Sequence, residues 1–150
     1  MPRRELKTGK QVADWLAQVA GALGSSGSIT LIGSGALLWH AYDKGFVTEL
    51  PEASMDIDPV TDSDEIARLC YDGLIGSDFE REHGWHINLM PHTVLDGLPV
   101  GWESRATIRE VGLLHLVVPS PADLLAPKLA RNEERDRAQA QWAKCIGLID

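Results

Sequence analysis

Cysteine is scarce in this chain. Cys70 and Cys145 are the only two, far apart in 150 residues. They match no metal-ligand spacing, and only geometry could say whether they bridge. Two such thiols read as the reduced residues of a cytosolic protein. Positive charge is also short: 14 Lys and Arg stand against 22 Asp and Glu, a formal charge of −8 with a pI near 5.0. That balance argues against broad binding to a nucleic-acid backbone and leaves room for a local basic patch. No apolar run approaches the roughly 20 residues that span a bilayer. The basic N-terminus is not followed by the apolar stretch of a secretory signal. No membrane partner is therefore expected, and the cytoplasm is the expected location. Repeats, low-complexity tracts and domain linkers are missing too. The remaining composition, 44% apolar and 24% charged, is that of a soluble globular protein long enough to bury a core without staples. Residues 1–150 are expected to form one domain.

Apolar residues at three- and four-residue steps (Val12, Trp15, Leu16, Val19, Leu23) predict an amphipathic helix from Gln11. A Gly-Ser turn ends it, and Ser28–Ile32 follows as a β-rich run. Gly33-Ser34-Gly35 then opens an apolar helix through Tyr42. A loop over 45–53 leads to a strand carrying Asp56 and Asp58. A helix capped by Asp62-Ser63-Asp64-Glu65 is expected over about 64–73. Trp85–Met90 alternates like a strand, and Thr107–Val111 with Leu113–Val118 reads as two strands around Gly112. Ser120-Pro121 has the chemistry of a helix start, and Pro127 is expected to kink that helix. Its apolar residues are Leu124, Leu125 and Leu129; a final helix carries Ala138, Trp142 and Ile146. Strands and helices alternate without the regular spacing of a doubly wound sheet. The expected class is α+β: a mixed sheet flanked by helices, with C-terminal helices.

Chemistry concentrates in Ser54-Met55-Asp56-Ile57-Asp58. Alternation along a strand puts Asp56 and Asp58 on one face, with Met55 and Ile57 anchored on the other. Paired carboxylates repel and shift their pKa values upward unless a cation neutralises them. Magnesium, held by one or two carboxylates together with substrate phosphates, is the usual hard-ion answer. Gly33-Ser34 adds a second element, because free amides at a helix N-terminus favour phosphate and glycine permits close approach. The pattern is not a P-loop, since no Gly-Lys-Ser/Thr follows, and it lacks the third glycine of a dinucleotide fingerprint. Lys128 and Arg135 lie seven apart, one face if their helix is continuous, and could meet phosphate or a nucleic-acid acceptor. Asp136 is expected to pair with one of them or to frame the cleft. His83, His86 and His92 have no nearby cysteine and poor spacing for zinc. Trp15, Trp39, Trp85, Trp102 and Trp142 are scattered, which suits core packing better than a base-stacking platform.

Taken together, strand–Gly-Ser–helix followed by an Asp-x-Asp strand resembles the nucleotidyltransferase superfamily with the DNA polymerase β-like fold. Asn88-Leu89-Met90-Pro91, Leu98-Pro99-Val100-Gly101-Trp102-Glu103-Ser104-Arg105 and Val118-Pro119-Ser120-Pro121-Ala122-Asp123-Leu124-Leu125 extend the likeness. So do Lys128-Leu129-Ala130 and Arg135-Asp136. These runs resemble a small bacterial subfamily related to abortive-infection and toxin–antitoxin nucleotidyltransferases, over about Ser28 to Trp142. The resemblance implies that Gly33, Ser34 and Gly35 hold a nucleoside triphosphate and that Asp56 and Asp58 bind Mg²⁺. It implies transfer of a nucleotidyl group to a hydroxyl on a protein or RNA in a toxin–antitoxin or phage-defence setting. With no obvious second domain to grip an acceptor, a toxin or antitoxin partner or a homodimer is expected to complete the site. A third carboxylate is expected on a later strand, and that position falls on Asn88. Asparagine brings no negative charge and cannot act as a base; His86 on the same strand face could compensate. The Arg or Lys often found before Asp-x-Asp is replaced by Glu52-Ala53-Ser54. A catalytically degenerate binding module is accordingly the competing expectation.

Overall fold

The computed structural model of the chain describes residues 5–51 and 54–150, so Glu52 and Ala53 lie outside the described residues. Five strands, β1 (Gly27–Ile32), β2 (Asp56–Val60), β3 (His86–Ile87), β4 (Thr107–Val111) and β5 (Leu114–Val118), form one mixed sheet in the order β3-β2-β1-β5-β4. β1 runs parallel to β5 and antiparallel to β2, and β2 runs parallel to β3. Strand and helix residues share one core, in which Ile29, Leu31, Ile57, Ile87, Leu114 and Leu116 are fully buried. The expected α+β architecture is what the chain adopts.

Helix α1 (Gly9–Ala22) buries Val12, Trp15, Leu16 and Val19 along one stripe. It begins before Gln11, whose side chain turns back to accept the Thr8 amide at 3.0 Å and caps the first turn. Gly9 is required there, because a Cβ would collide with the Leu38 carbonyl of the next helix. That helix, α2 (Gly33–Asp43), is buried from Ser34 through Ala41 and packs against α1, β2 and α6 (Pro121–Arg131). A helix apolar on all sides belongs at the centre of the molecule. Four of the five tryptophans, Trp15, Trp39, Trp85 and Trp102, are buried; Trp142 is half-buried and donates its indole N–H to Thr48 Oγ1 at 3.1 Å.

Several elements depart from expectation. The strand over Trp85–Met90 shrinks to His86–Ile87, yet main-chain bonds from Asn88 N to Ile57 O (2.8 Å) and Met90 N to Pro59 O (2.9 Å) keep the segment beside β2. Besides α3 (Asp64–Tyr71), a short helix α4 (Asp78–His83) forms between Ser77, whose Oγ accepts the Glu80 amide at 3.2 Å, and left-handed Gly84. A 3₁₀ turn (His92–Gly97) and helix α5 (Trp102–Arg105) were likewise not anticipated. Helix α6 runs on through Pro127 to Arg131 and stops at Asn132, which adopts φ +56°. Lys128 and Arg135 therefore sit on different helices, α6 and α7 (Glu134–Cys145), rather than on one continuous face. On α7 the fully buried residues are Asp136, Gln139 and Ala143, while Trp142 and Ile146 pack half-buried against the core as expected. Leu129 is nearly half exposed. Among the described residues, no helix is long and apolar enough to cross a membrane.

Candidate functional site

The parallel register of β2 and β3 pairs Asp56 with His86 and Ile57 with Ile87. Continuing it by one residue sets Asn88 beside Asp58, and the Asn88 amide donates to Asp58 Oδ1 at 3.1 Å. Ile57 is fully buried and fixes the strand, so the carboxylates on either side turn to the opposite face. Met55 does not share the anchoring of Ile57. It precedes the first residue of β2 and lines the cavity that the carboxylates face. Ser54 is the buried residue at this end, exchanging main-chain hydrogen bonds with Leu6 at 3.1 Å.

Across from β2 lies the strand-to-helix turn. Gly33 follows β1 and opens α2 at φ +75°, and any Cβ there would run into Asp58 Oδ2. Glycine thus serves both the backbone conformation and the approach of a carboxylate to the start of α2. Ser34, next in line, is buried; its hydroxyl donates to Gln139 Oε1 at 3.1 Å and accepts from Lys128 Nζ at 3.2 Å. Gly35 faces elsewhere and packs on Ile57, away from the cavity lining.

These residues enclose a cavity of about 370 Å³. Asp56 and Asp58 line it from β2 with Asn88 beside them, and Lys128, Arg131 and Arg135 line it from α6 and α7. Met90, Val94 and Leu98 supply an apolar side. Gly33, Ser34, Asp56, Asp58, Asn88, Lys128 and Arg135 are all brought together; of the nucleotide-site residues expected from the sequence, only Gly35 is not.

The electrostatics follow from crowding. Burial, reinforced by the charge of Asp56, pushes the Asp58 carboxyl up to about 7, against smaller opposing effects from the Asn88 amide and Lys128. Burial also lowers the pKa of Lys128. Asp136 does not pair with Lys128 or Arg135. It is buried beneath Arg131, which grips it by two bonds of 2.9 and 2.6 Å. The Arg131 guanidinium accordingly holds Asp136 below the usual carboxylate range. Arg135 is exposed and has no ion pair or hydrogen bond among the described residues. Arg131 and Gln139 were both missed from the sequence. Arg131 stands three residues after Lys128, so helical spacing could have found it; nothing local marks Gln139.

The histidines scatter by role. His83 stacks on Phe79 with ring centroids 4.0 Å apart. His86 Nε2 is 3.9 Å from Asp56 Oδ2, and its Nδ1 is 3.0 Å from Glu80 Oε2 but not aligned as a hydrogen bond. Among the described residues no group of three or more His, Cys, Asp or Glu side chains could hold a metal ion. The pair Asp56–Asp58 nevertheless fits a divalent ion: two carboxylates are forced together, one is held up to about 7, and phosphates could fill the remaining positions.

A family model described as a nucleotidyltransferase of unknown function (DUF6036) matches residues 11–150. Comparison with curated proteins and with solved structures gives no match.

Proposed function

The chain belongs to this family of nucleotidyltransferases of unknown function, and from that premise we propose that it binds a nucleoside triphosphate with Mg²⁺ and transfers the nucleotidyl group to a protein or RNA hydroxyl. The observation that carries this reading is the meeting of Asp58 with Gly33. The Asp-x-Asp strand and the Gly-Ser turn touch across one cavity, although 25 residues separate Gly33 from Asp58 in the chain.

Asp56 and Asp58 would hold Mg²⁺, which when bound neutralises phosphate charge and polarises the phosphoryl group under attack. Ser34 and the amides at the start of α2 face the same space and suit the β- and γ-phosphates. Arg135, which has no ion pair or hydrogen bond among the described residues, is a ready phosphate ligand, and Lys128 brings a second cation from α6. The apolar side formed by Met90, Val94 and Leu98 suits a base or sugar face better than a phosphate. Transfer joins the acceptor oxygen to the α-phosphorus and releases pyrophosphate, with the protein's part mainly positioning and charge neutralisation.

A second reading has its own observation. Asn88 occupies the place beside Asp58 where a third carboxylate would stand, and it supplies neither charge nor a proton acceptor. A domain of this kind could bind Mg-nucleotide without turnover and act through a partner protein. A toxin–antitoxin or phage-defence setting is the context that the resemblance implies for either reading. Incubation with labelled ATP, CTP, GTP or UTP and Mg²⁺ in cell lysate separates them. Label appearing on RNA or protein, and lost in Asp56→Ala, supports transfer. No transfer, with Mg-ATP still raising Tm, leaves the binding module standing.

A further inference from the structure

Gln139 lies 105 residues from Ser34 and forms no part of the motif that first marks the site. It is fully buried on α7, and its Oε1 accepts the Ser34 hydroxyl. Its Nε2 is buried with no hydrogen-bond partner. A buried amide nitrogen without an acceptor is uncommon and costly. In the arrangement seen, the only hydrogen of Ser34 is directed at Gln139, while Lys128 Nζ occupies one of its lone pairs. A serine hydroxyl has one donor and two acceptor positions. Ser34 therefore has no hydrogen left to give to a phosphate.

Turning the Gln139 amide over about its terminal bond changes this. Nε2 would then donate to Ser34 Oγ, filling the second lone pair and releasing the hydroxyl hydrogen toward the cavity. The exchange is nearly balanced, because one atom of the amide lacks a partner in either orientation. A partnerless carbonyl oxygen is the less costly of the two, and without ligand this is offset by the serine hydrogen, which loses its acceptor until a phosphate arrives. No bond is made or broken beyond the hydrogen bonds themselves.

We propose that Gln139 is a positioning residue that switches Ser34 between a resting orientation, donating to Gln139 Oε1, and a ligand-bound orientation, donating to a phosphate oxygen of the nucleotide. The inference rests on the reading that the cavity takes a triphosphate. It also assigns a role to the polar stripe of α7, where Asp136 fixes Arg131 and Gln139 sets the serine one turn further along.

A double-mutant cycle on Mg-ATP affinity, read by calorimetry on the full chain, tests it. Ser34→Ala should weaken binding by roughly tenfold or more, as expected for a hydrogen bond to a charged acceptor. Gln139→Met keeps the length and removes both polar atoms. It frees the hydroxyl at rest but takes away the Nε2 donor that would aim it at the phosphate, and it should weaken binding several-fold. With Ser34→Ala already present, Gln139→Met should add nothing, since both act through one hydroxyl. Gln139→Glu, which can only accept from Ser34 when ionised, carries the same cycle should the Met variant not fold. A Gln139 variant that binds like wild type, or losses that multiply in the double variant as a purely structural defect would give, overturns the switch. Absence of wild-type binding to the Mg²⁺ complexes of ATP, CTP, GTP and UTP alike instead refutes the triphosphate reading, and the switch falls with it.

Discussion

Asp58→Asn should make the metal-free protein more stable at pH 8. In the fold the Asp58 carboxyl is pushed up to about 7, from 3.8, by burial and by Asp56. Between those two values the folded state keeps a proton that the unfolded chain has released. Stability must therefore fall as pH rises through this window, and the whole penalty applies above about 7. At about 1.4 kcal/mol per pH unit, a gap of roughly three units sets a ceiling of about 4 kcal/mol. The coupled pair can share a proton and relax, so about 2 kcal/mol is the working figure. For a chain of this length that is on the order of 5 °C in Tm. Asparagine has the same shape, can still accept the Asn88 amide, and carries no charge. Urea unfolding in EDTA at pH 5 and pH 8 should show the variant clearly ahead at pH 8, with most of that lead gone at pH 5. Millimolar Mg²⁺ should then restore the wild type at pH 8 and leave the variant nearly unmoved. A lead that does not change with pH, or no lead at all, would refute the claim that the paired carboxylates are held together against their repulsion.

Two further substitutions probe the same corner. Asn88→Asp adds the missing charge beside Asp58 and should tighten Mg²⁺ binding, measured by titration calorimetry; unchanged affinity would show that position 88 does not face the ion. Gly33→Ala places a Cβ against Asp58 Oδ2 at a backbone angle of φ +75°. A loss of about 1–3 kcal/mol in urea unfolding is expected, together with weaker Mg²⁺ binding; an alanine variant of wild-type stability would mean that the turn is not pressed against β2.

The acidic pair and the Gly-Ser turn were legible in the sequence because their signals are local. Alternation around Ile57 sets the carboxylate face, and a β-run ending in Gly-Ser marks a strand-to-helix turn. Met55 was misread because strand alternation was carried one residue too far, beyond the start of β2 at Asp56. The expected face shared by Lys128 and Arg135 depended on a continuous helix, and Asn132 breaks it; the two meet only because α7 folds back at that break. Helices α4 and α5, of 6 and 4 residues, are shorter than the window in which periodicity shows, although Ser77 and Gly84 advertise the ends of α4. Gln139, and the burial of Asp136 under Arg131, were out of reach for another reason. Polar residues on a helix read as its solvent face, and only tertiary contacts reveal that these point inward.

The distribution of charge in the cavity restricts what can enter it. Asp56 and Asp58 oppose a bare polyphosphate, whose charge they would repel at close range. Lys128 and Arg135 oppose a bare divalent cation approaching from their side. Arg131 is largely neutralised by Asp136 and adds little to either. Lys128 Nζ donates to Ser34 Oγ at 3.2 Å and forms no ion pair with Asp58 among the described residues. A space kept open between separated charges of opposite sign favours a ligand whose own charges are separated in the same way. A metal–triphosphate complex has that form, with the ion toward the carboxylates and the phosphate tail toward α6 and α7. On this argument free ATP and free Mg²⁺ should each bind the protein far more weakly than the two bind together.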